Sequence, residues 1–426
     1  MQPTPLSRFT SAPYIPPDRI FELTAQYQAD PSPQKVNLGQ GTYRSSTGDP
    51  WVLPSVQEAR SRLANNGLNH EYLPILGHAQ FRKLAARMAL GEALHDTLGS
   101  RLATCQSLSG TGALHLAGLL LRHLHHLNLN PNPEGQTNRP LPKIYIPDPT
   151  WSNHHQIFTS LGFPVVSLPY YSAETRSLAF EPYLSALENA EQNSVVILHA
   201  CAHNPSGCDP STAQWREIAG VIKSKNLFPV FDAAYLGFNS GDVDEDAAAI
   251  RMFVGEEFGL EVGVCLSFAK NMGLYGERTG CFFVTTRSGE IARNTESVLE
   301  VLQRREVSNP PAFGAKIAAL VLGDLELAGM WREDLKTMSG RIREMRTGLA
   351  EGLIRFGAPG DWGHLVRQTG MFGFLGLDEE VVRELRAEED HIYMADNSRV
   401  SIAGLNPGNV EYVAKAIAER LRTRDV

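Results

Sequence analysis

Three polar residues stand beside apolar segments of the chain, where their side chains could do chemistry. Lys270 directly follows "VGVCLSFA", and Asp232 and Tyr235 lie within "FPVFDAAYLGF". Burying a carboxylate without a partner is unfavourable, so Asp232 needs a cation or a hydrogen-bond donor. A buried lysine loses part of its preference for the charged form, and a neutral amine is a nucleophile toward aldehydes. Each residue alone favours an ordinary structural role, but together they indicate covalent chemistry at Lys270.

A loop of small residues is a candidate phosphate site. Ser109, Gly110 and Thr111 begin "SGTG", directly before the helical pattern "ALHLAGLLLRHL". Free backbone N–H groups and the positive end of a helix dipole suit a phosphate, although the loop alone favours an ordinary helix N-cap. A dinucleotide site is not predicted, because His115 stands where the third glycine should be and no clear acid follows at the ribose-contact distance.

These residues, with one asparagine and one arginine, form a set. Asn204 in "HNPSG" follows the apolar segment "VVILHACA", and Arg278 follows Lys270 in "NMGLYGERTG". A phosphate loop, strand-end Asn, Asp and Lys residues, a nearby Tyr and an Arg together match what pyridoxal phosphate needs from a protein.

The elements that must position this set are short apolar segments separated by helical patterns. The segments are "KIYIPD", "VVILHACA", "FPVFDAAY", "VGVCLSFA" and "GCFFVTT". Such runs between helices are typical of buried strands in a mostly parallel sheet covered by helices. Ligands gather at the carboxyl ends of the strands in such sheets, which is where the polar set lies.

The two ends of the chain differ from this alternation. A helix is expected over residues 18–29, a surface loop over 128–142, and a long charged helix from about Trp331. Strand-like pieces follow at "GMFGFLGL" and "NSRVSIAGL", before a C-terminal helix in "NPGNVEYVAKAIAERLR". We expect an N-terminal arm (1–14), a small domain (15–51 and 329–426) and a large cofactor-binding domain (52–328).

Length and composition narrow the function classes. The chain has 426 residues, of which 42% are hydrophobic and 20% charged, which favours two globular domains. The formal net charge of -8 argues against a general nucleic-acid binder, and no apolar run approaches the length of a membrane span. The proline-containing N-terminus lacks a secretory apolar core, so a cytoplasmic location is expected. Five scattered cysteines without a CxxC pair are typical of reduced thiols.

Eight ordered blocks of the sequence resemble a known family. They are "NHEYLPILG", "SLSGTGALHLAG", "DPTWSNH", "HACAHNPSG", "FDAAYLGF", "SFAKNMGLYGERTG", "SNPPAFGA" and "SRVSIAGL". These blocks resemble the fold-type I aminotransferases, most closely the aspartate aminotransferase family of class I, over nearly the whole chain. The resemblance implies an α/β large domain with a mostly parallel seven-stranded sheet between helices, and a smaller α+β domain. It also implies pyridoxal 5′-phosphate as cofactor, a homodimer with shared active sites, and a cytoplasmic form.

The resemblance also implies roles for the cofactor-binding residues. Lys270 is expected to bond to the cofactor and later to move the substrate proton, while Asp232 keeps the pyridine nitrogen protonated. Tyr235 and Asn204 are expected to hydrogen-bond the phenolic oxygen of the ring, and Trp151 to stack on its face. The residues implied to bind the phosphate are Ser109, Gly110, Thr111, Ser267 and Arg278, with Tyr72 reaching over from the neighbouring subunit.

Substrate recognition is implied to depend on two arginines. Arg399 matches the residue that pairs with the α-carboxylate, aided by Asn204, Trp151 and the backbone at Gly41. Arg304 matches the residue that crosses from the other subunit to a side-chain carboxylate, although its charged helical setting also suits an ordinary surface arginine. The sequence departs from the family pattern nearby, at Gln40, Thr42, Glu306 and Val307, and these positions could alter specificity.

Several readings of the function stay open. The leading one exchanges an amino group between an L-amino acid, aspartate or a related dicarboxylic acid, and 2-oxoglutarate by a ping-pong mechanism. The alternatives are an aminotransferase for aromatic or modified amino acids, a pyridoxal-phosphate enzyme catalysing another reaction such as elimination or decarboxylation, and a catalytically silent homologue. No metal site is expected, because the histidines His115, His123, His125, His126, His154 and His155 lack acidic or cysteine partners at ligand spacing.

Overall fold

The structure is a computed structural model that describes residues 7–128, 140–387 and 389–424. The predicted N-terminal arm therefore lies partly outside the described residues, as does most of the predicted loop over 128–142. In the described part of the arm, Phe9 and Tyr14 are exposed.

Helices and strands alternate through most of the chain. The helices are α1 (Arg19–Ala29), α2 (Pro54–Asn65), α3 (Ala79–Leu90), α4 (Glu92–Leu98), α5 (Ser109–Asn128), α6 (Ser152–Ser160), α7 (Phe180–Glu188), α8 (Thr212–Ser224), α9 (Val243–Asp246), α10 (Ala248–Val254), α11 (Gly289–Glu306), α12 (Phe313–Gly323), α13 (Leu325–Arg355), α14 (His364–Arg367), α15 (Glu379–Arg386) and α16 (Val410–Arg422). The strands are β1 (Val36–Asn37), β2 (Leu102–Leu108), β3 (Ile144–Asp148), β4 (Val165–Pro169), β5 (Tyr171–Ser172), β6 (Ser177–Leu178), β7 (Val195–His199), β8 (Phe228–Ala233), β9 (Gly263–Ser267), β10 (Thr279–Thr285), β11 (Phe372–Phe374), β12 (Ile392–Tyr393) and β13 (Arg399–Ser401).

The main sheet has seven strands in the order β2-β10-β9-β8-β7-β3-β4. Strand β10 runs antiparallel to both of its neighbours, and the remaining pairs are parallel. The predicted mostly parallel seven-stranded sheet is confirmed. Since β7, β8 and β9 are adjacent and parallel, the residues that follow them meet at one edge of the sheet.

Both faces of the sheet are buried, which explains why its strands read as continuous apolar runs. Along β8, Val230 packs in one apolar cluster while Phe231 packs in the other, as the alternation of side chains in a strand requires. Helices α5, α6 and α11 cover the first face, and α3, α8, α10 and α12 contribute to the core on the second.

The segments at the two ends of the chain pack together. Strand β1 pairs in parallel with β12, β11 pairs with β13, and α16 packs along α13. Helix α1 begins where expected, after Asp18, whose carboxylate accepts a hydrogen bond from the N–H of Ile20 (2.9 Å). The long helix α13 begins at Leu325, earlier than predicted, because Asp324 caps its first turn. The predicted domain bounds stay a prediction.

Candidate active site

The candidate catalytic residues converge at the carboxyl ends of the central strands. Asp232 lies near the end of β8, directly beside His199 of β7 in the strand register. Tyr235 follows β8, Lys270 follows β9 and Asn204 follows β7. Asp232, Tyr235 and Asn204 are buried, although all are polar. The adjacency of the parallel strands therefore brings together residues that are far apart in sequence.

The two oxygens of Asp232 differ in their surroundings. Oδ2 accepts a hydrogen bond from Nε2 of His154 (3.0 Å), whereas Oδ1 is buried without a partner among the described residues. Burial alone would raise the pKa of Asp232, but the hydrogen bond from His154 and interactions with His154, His199 and Lys270 bring it below its usual value. A buried, ionised oxygen without a donor is the acceptor that a protonated ring nitrogen requires.

Further hydrogen bonds between side chains support the His154 ring that binds the Asp232 carboxylate. Oγ1 of Thr150 lies 2.8 Å from Nδ1 of His154 and 3.0 Å from Nε2 of His199. Burial lowers the pKa of His199 well below its usual value. Since the carboxylate can only accept, Nε2 of His154 must donate to it, and Thr150 holds the other nitrogen of that ring.

His154 is the residue that sequence reasoning missed. The only functional role considered for it was that of a metal ligand, yet its side chain is fully buried against Asp232. The available signal was its position in "TWSNHH", one helical turn after Trp151. The ring of His154 lies 5.5 Å from that of Trp151 at a near-perpendicular angle. Among the described residues, no group of three or more His, Cys, Asp and Glu side chains is arranged to hold a metal ion.

Lys270 is half-buried and lies three residues after the end of β9. Its Nζ lies 5.4 Å from the centre of the Tyr235 ring, and no hydrogen bond or ion pair joins it to the part of the chain described. Burial lowers the pKa of Lys270; the charge of Asp232 opposes this effect and that of Arg278 adds to it. The surroundings therefore favour the neutral, nucleophilic amine more than water does.

The predicted phosphate loop forms a compact cradle at the start of α5. Oγ of Ser109 lies 2.8 Å from Oγ of Ser267, and the N–H of Ser109 donates to the carbonyl of Arg278 (3.1 Å). Gly110 is placed so that a Cβ atom there would lie 3.2 Å from Cβ of Ser267, and a Cβ at Gly280 would lie 2.5 Å from the Ser109 carbonyl carbon. Gly110 thus lies close to the Ser267 side chain, and Gly280 lies close to the Ser109 backbone. The two serine hydroxyl groups lie at a helix N-terminus, which suits a phosphate.

Two residues of this cradle are held in an unusual backbone conformation. Ser109 has a φ of 59° and Arg278 a φ of 51°, a region that non-glycine residues rarely adopt. Such strain is typical of ligand-binding positions. The Arg278 guanidinium is exposed and donates to the carbonyl of Tyr275 (2.9 Å), while Thr111 is half-buried in the first turn of α5.

Arg399 lies at the start of β13, and most of its guanidinium donors have no partner among the described residues. Its guanidinium donates to the carbonyl of Gly39 (2.7 Å) and lies 4.6 Å from the centre of the Phe372 ring, and its buried Nε has no partner among the described residues. Burial lowers its pKa, and the nearby Tyr235 opposes that change. A Cβ at Gly41 would lie 2.7 Å from the Phe372 ring, so a side chain at this position would require that ring to move. The arrangement can accept a carboxylate.

Two predicted residues lie outside this cluster. Tyr72 is 88% exposed. Arg304 is exposed near the end of α11 and donates to the hydroxyl of Ser308. The Lys270 cluster is defined as Asp232, Tyr235, Asn204 and Lys270. Within the described residues, no hydrogen bond or ion pair joins Tyr72 or Arg304 to it. Their action across a subunit boundary stays a prediction.

The positions that depart from the family pattern have other neighbours than expected. Glu306 lies 3.5 Å from Nδ1 of His115 on α5, so the acid expected beside Arg304 contacts another helix. Gln40 and Thr42 line a polar cavity of about 680 Å³ together with Arg44. That cavity is bounded by residues of α1, by the segments at 33–48 and 404–409, and by Tyr412; among the described residues, none of the Lys270 cluster lines it.

The comparisons with known proteins agree with this fold. The model of the family "Aminotransferase class I and II" matches residues 33–417, and the chain belongs to that family. It is 45% identical over 404 residues to the mitochondrial aspartate aminotransferase of Dictyostelium discoideum, covering 95% of this chain and 91% of that protein. The resemblance predicted from the sequence is thereby confirmed.

Two solved structures are similar over almost their whole length. One is the aspartate aminotransferase from Saccharomyces cerevisiae cytoplasm, with a TM-score of 0.90 and 42% identity over 98% of this chain and 99% of that one. The other is the aromatic-amino-acid aminotransferase from Burkholderia pseudomallei covalently bound to pyridoxal phosphate, with a TM-score of 0.90 and 39% identity over 98% of this chain and 100% of that one. The predicted fold class and transaminase class are confirmed. No helix in the described part of the chain is long and apolar enough to cross a membrane.

The residues present fit pyridoxal phosphate. The unpartnered Oδ1 of Asp232 suits a protonated ring nitrogen, and the amine of Lys270 suits an aldehyde. The hydroxyl pair of Ser109 and Ser267 at the start of α5 suits a phosphate.

Proposed function

We propose that this chain is a pyridoxal-phosphate-dependent aminotransferase that acts on aspartate or a related dicarboxylic L-amino acid, with 2-oxoglutarate as acceptor. The observation that carries the proposal is that two polar groups without hydrogen-bond partners among the described residues lie near the ends of adjacent strands. One is the amine of Lys270, which has no hydrogen-bond partner among the described residues, and the other is the buried, unpartnered Oδ1 of Asp232. Each lacks a partner within the chain as described, and one bound pyridine aldehyde would satisfy both.

The proposed mechanism assigns a task to each residue. Pyridoxal phosphate supplies, when bound, an electrophilic carbonyl and an electron-withdrawing ring. Lys270 would hold the cofactor covalently through its Nζ until the substrate amine replaces it. The freed Nζ would then take the proton from the substrate α-carbon and deliver it to the carbon that had been the cofactor's carbonyl carbon. Asp232, held by His154, keeps the proton on the ring nitrogen. Tyr235 and Asn204 hydrogen-bond the phenolic oxygen.

The remaining residues hold the two ends of the ligand. Arg399 binds the α-carboxylate with help from Asn204 and the backbone at Gly41, because its free donors form a planar fork. Trp151 covers the ring face. The phosphate is held by Ser109, Gly110, Thr111, Ser267 and Arg278.

We further propose a homodimer in which two residues act across the interface. Tyr72 would bind the partner's phosphate and Arg304 the side-chain carboxylate of the partner's substrate. The exposure of both residues supports this, since neither contributes to a site within its own chain as described. The proposed division into a large domain (52–328) and a small domain (15–51 and 329–426) places Arg399 on the small domain. The similarity to cytoplasmic yeast enzymes supports a cytoplasmic location.

A second candidate is an aminotransferase for aromatic amino acids. It is favoured by the likeness to the Burkholderia pseudomallei enzyme, whose TM-score equals that of the yeast aspartate aminotransferase. The two candidates differ at Arg304, because an aromatic side chain leaves that guanidinium without a carboxylate to bind.

A panel of amino donors tests the proposal. Purified protein loaded with pyridoxal phosphate is mixed with aspartate, phenylalanine or tyrosine, each with 2-oxoglutarate, and the products are identified. Glutamate is tested with oxaloacetate instead, because its exchange with 2-oxoglutarate gives no new product. Any donor that the enzyme accepts should, by itself, convert the bound cofactor to its pyridoxamine form, as ping-pong kinetics requires. Negligible rates with aspartate would refute the leading substrate, and release of another product without pyridoxamine formation would indicate elimination or decarboxylation.

Substitution of Lys270 provides the control. Lys270→Ala should abolish turnover while the protein still folds and holds the cofactor without a covalent bond. Lys316 offers a matched variant. Its amine lies 3.4 Å from the carbonyl of Asn69 in an exposed contact, and Lys316→Ala should retain activity. Turnover near the wild-type rate in Lys270→Ala would show that the lysine is misassigned.

A further inference from the structure

We propose that Asp209 and Thr369 are positioning residues that hold the loop carrying Asn204 against the segment that supports Arg399. The Asn204 loop is defined as residues 200–209, and the Phe372 segment as residues 369–372. The inference rests on the proposed function, because it assigns Asn204 and Arg399 to ligand binding.

Asp209 ties the Asn204 loop to the Phe372 segment. Its carboxylate accepts hydrogen bonds from the backbone N–H groups of Ala202 (2.6 Å) and His203 (2.8 Å), directly before Asn204. The same carboxylate accepts a hydrogen bond from Oγ1 of Thr369 (2.9 Å). Three donors to one carboxylate fix the backbone that leads into Asn204.

The two backbones also pack without a gap. The N–H of Thr369 donates to the carbonyl of Gly207 (2.7 Å). A Cβ at Gly207 would lie 2.8 Å from the carbonyl oxygens of both Thr369 and Phe372, and a Cβ at Gly370 would lie 2.4 Å from Cβ of Ala202. Any shift of one segment is therefore felt by the other.

Arg346 of α13 anchors the Phe372 segment from its other side. Its buried guanidinium donates to the carbonyls of Thr369 and Gly370 (2.9 Å each) and of Phe372. The Phe372 ring in turn lies under the guanidinium of Arg399. A continuous set of contacts thus runs from Asn204 to Arg399, and both residues are proposed to meet the same substrate carboxylate.

Among these contacts, the hydrogen bond from Thr369 to Asp209 can be removed with the smallest change in side-chain shape. Thr369→Val keeps the branched side chain but leaves the carboxylate one donor short. If the two segments then separate in part of the population, the amino acid binds only the fraction that stays aligned. A lost hydrogen bond to a charged group corresponds to a rise of about tenfold in the KM for the amino donor. The value of kcat should stay within about twofold, since the bound state restores the alignment.

The experiment compares the holoenzyme with matched variants. Thr369→Ser retains the hydroxyl and should restore KM to near the wild-type value. Ser55→Ala removes a similar buried bond, from Ser55 Oγ to Asp334 (2.5 Å), and should change stability without changing KM. If Thr369→Val does not fold, Thr369→Ala relieves any crowding and is measured in the same way.

Two further readouts do not depend on turnover. The Kd of succinate, an unreactive dicarboxylate, should rise about tenfold in Thr369→Val, in parallel with KM. Hydrogen exchange of the amides of Ala202 and His203 should accelerate in Thr369→Val and stay unchanged in Ser55→Ala. An inactive wild-type enzyme would refute the proposed function alone. Unchanged succinate binding and unchanged exchange in Thr369→Val would overturn the positioning role.

Discussion

Replacing Asp232 with asparagine tests the electrostatic centre of the proposed mechanism. The substitution keeps the shape of the side chain and an oxygen that can face His154, but it removes the negative charge. The buried Oδ1 has no donor among the described residues, so the wild-type carboxylate is free to hold a proton on the ring nitrogen. A neutral amide cannot stabilise that positive charge.

The size of the effect follows from the short separation and the burial. Two unit charges at about 3 Å interact by about 5 kcal/mol at an effective dielectric constant of about 20. Each 1.4 kcal/mol or so is a factor of about ten in rate, so kcat/KM with aspartate should fall by about three to four orders of magnitude in Asp232→Asn. Steady-state kinetics measures the fall, and the absorption of the bound cofactor verifies loading.

The matched control for this substitution is another buried carboxylate. Asp334 on α13 accepts hydrogen bonds from the backbone and hydroxyl of Ser55, and among the described residues no hydrogen bond or ion pair joins it to Lys270 or Asp232. Asp334→Asn should leave kcat/KM within a few-fold of wild type. If Asp232→Asn kept more than about a tenth of the wild-type kcat/KM while fully loaded, the reasoning from charge would be wrong.

Three further predictions concern the surroundings of this centre. Arg304→Ala should lower kcat/KM for aspartate by about 100-fold or more and change kcat/KM for phenylalanine little. Arg305→Ala, at the exposed neighbouring position, should change neither value. Equal losses for both donors in Arg304→Ala would contradict the proposed role of Arg304 in binding the side-chain carboxylate. His154→Phe should lower kcat/KM by about tenfold through loss of the hydrogen bond to Asp232, and an unchanged rate would show that the bond is dispensable. In the cofactor-free protein, Lys270→Met should raise the melting temperature at pH 7, because burial lowers the pKa of Lys270 in the folded state, while the unfolded lysine still binds its proton. The free energy of unfolding of the wild type therefore rises with pH up to about 10.5. The difference in melting temperature between Lys270→Met and the wild type should narrow between pH 7 and pH 10, and a constant difference would refute this linkage.

The parts of the fold that sequence predicted best are those buried on both faces. Strands β7, β8, β9 and β10 lie between helices, so selection for burial leaves continuous apolar runs. Strand β2, "LATCQSL", was not predicted, because polar residues such as Gln106 are buried there through hydrogen bonds to the backbone at Pro311. Strand β4 was also missed, since it lies at the sheet edge and only Leu168 is buried in it.

The strand ends gave the location of the site but not the partners of its side chains. Asp232 was expected to need a donor, and the sequence could not choose among candidates. The donor is His154, on a helix that follows a different strand, and only the order of strands in the sheet brings the two together. The same limit applies to Asp209, whose bond to Thr369 joins segments that no local pattern connects.

The sequence suggested that Glu306 lies near the side chain of Arg304, and helix geometry alone would have corrected that expectation. Helix α11 continues through Glu306, and successive residues in a helix are separated by about 100°. Residues two positions apart therefore point to nearly opposite sides, so an acid at 306 does not face the side chain at 304. The structure has Glu306 directed to His115 of α5 instead. The charge of Arg304 is thus left uncompensated by the acid that the sequence had placed beside it, which strengthens the case for a dicarboxylic substrate over an aromatic one.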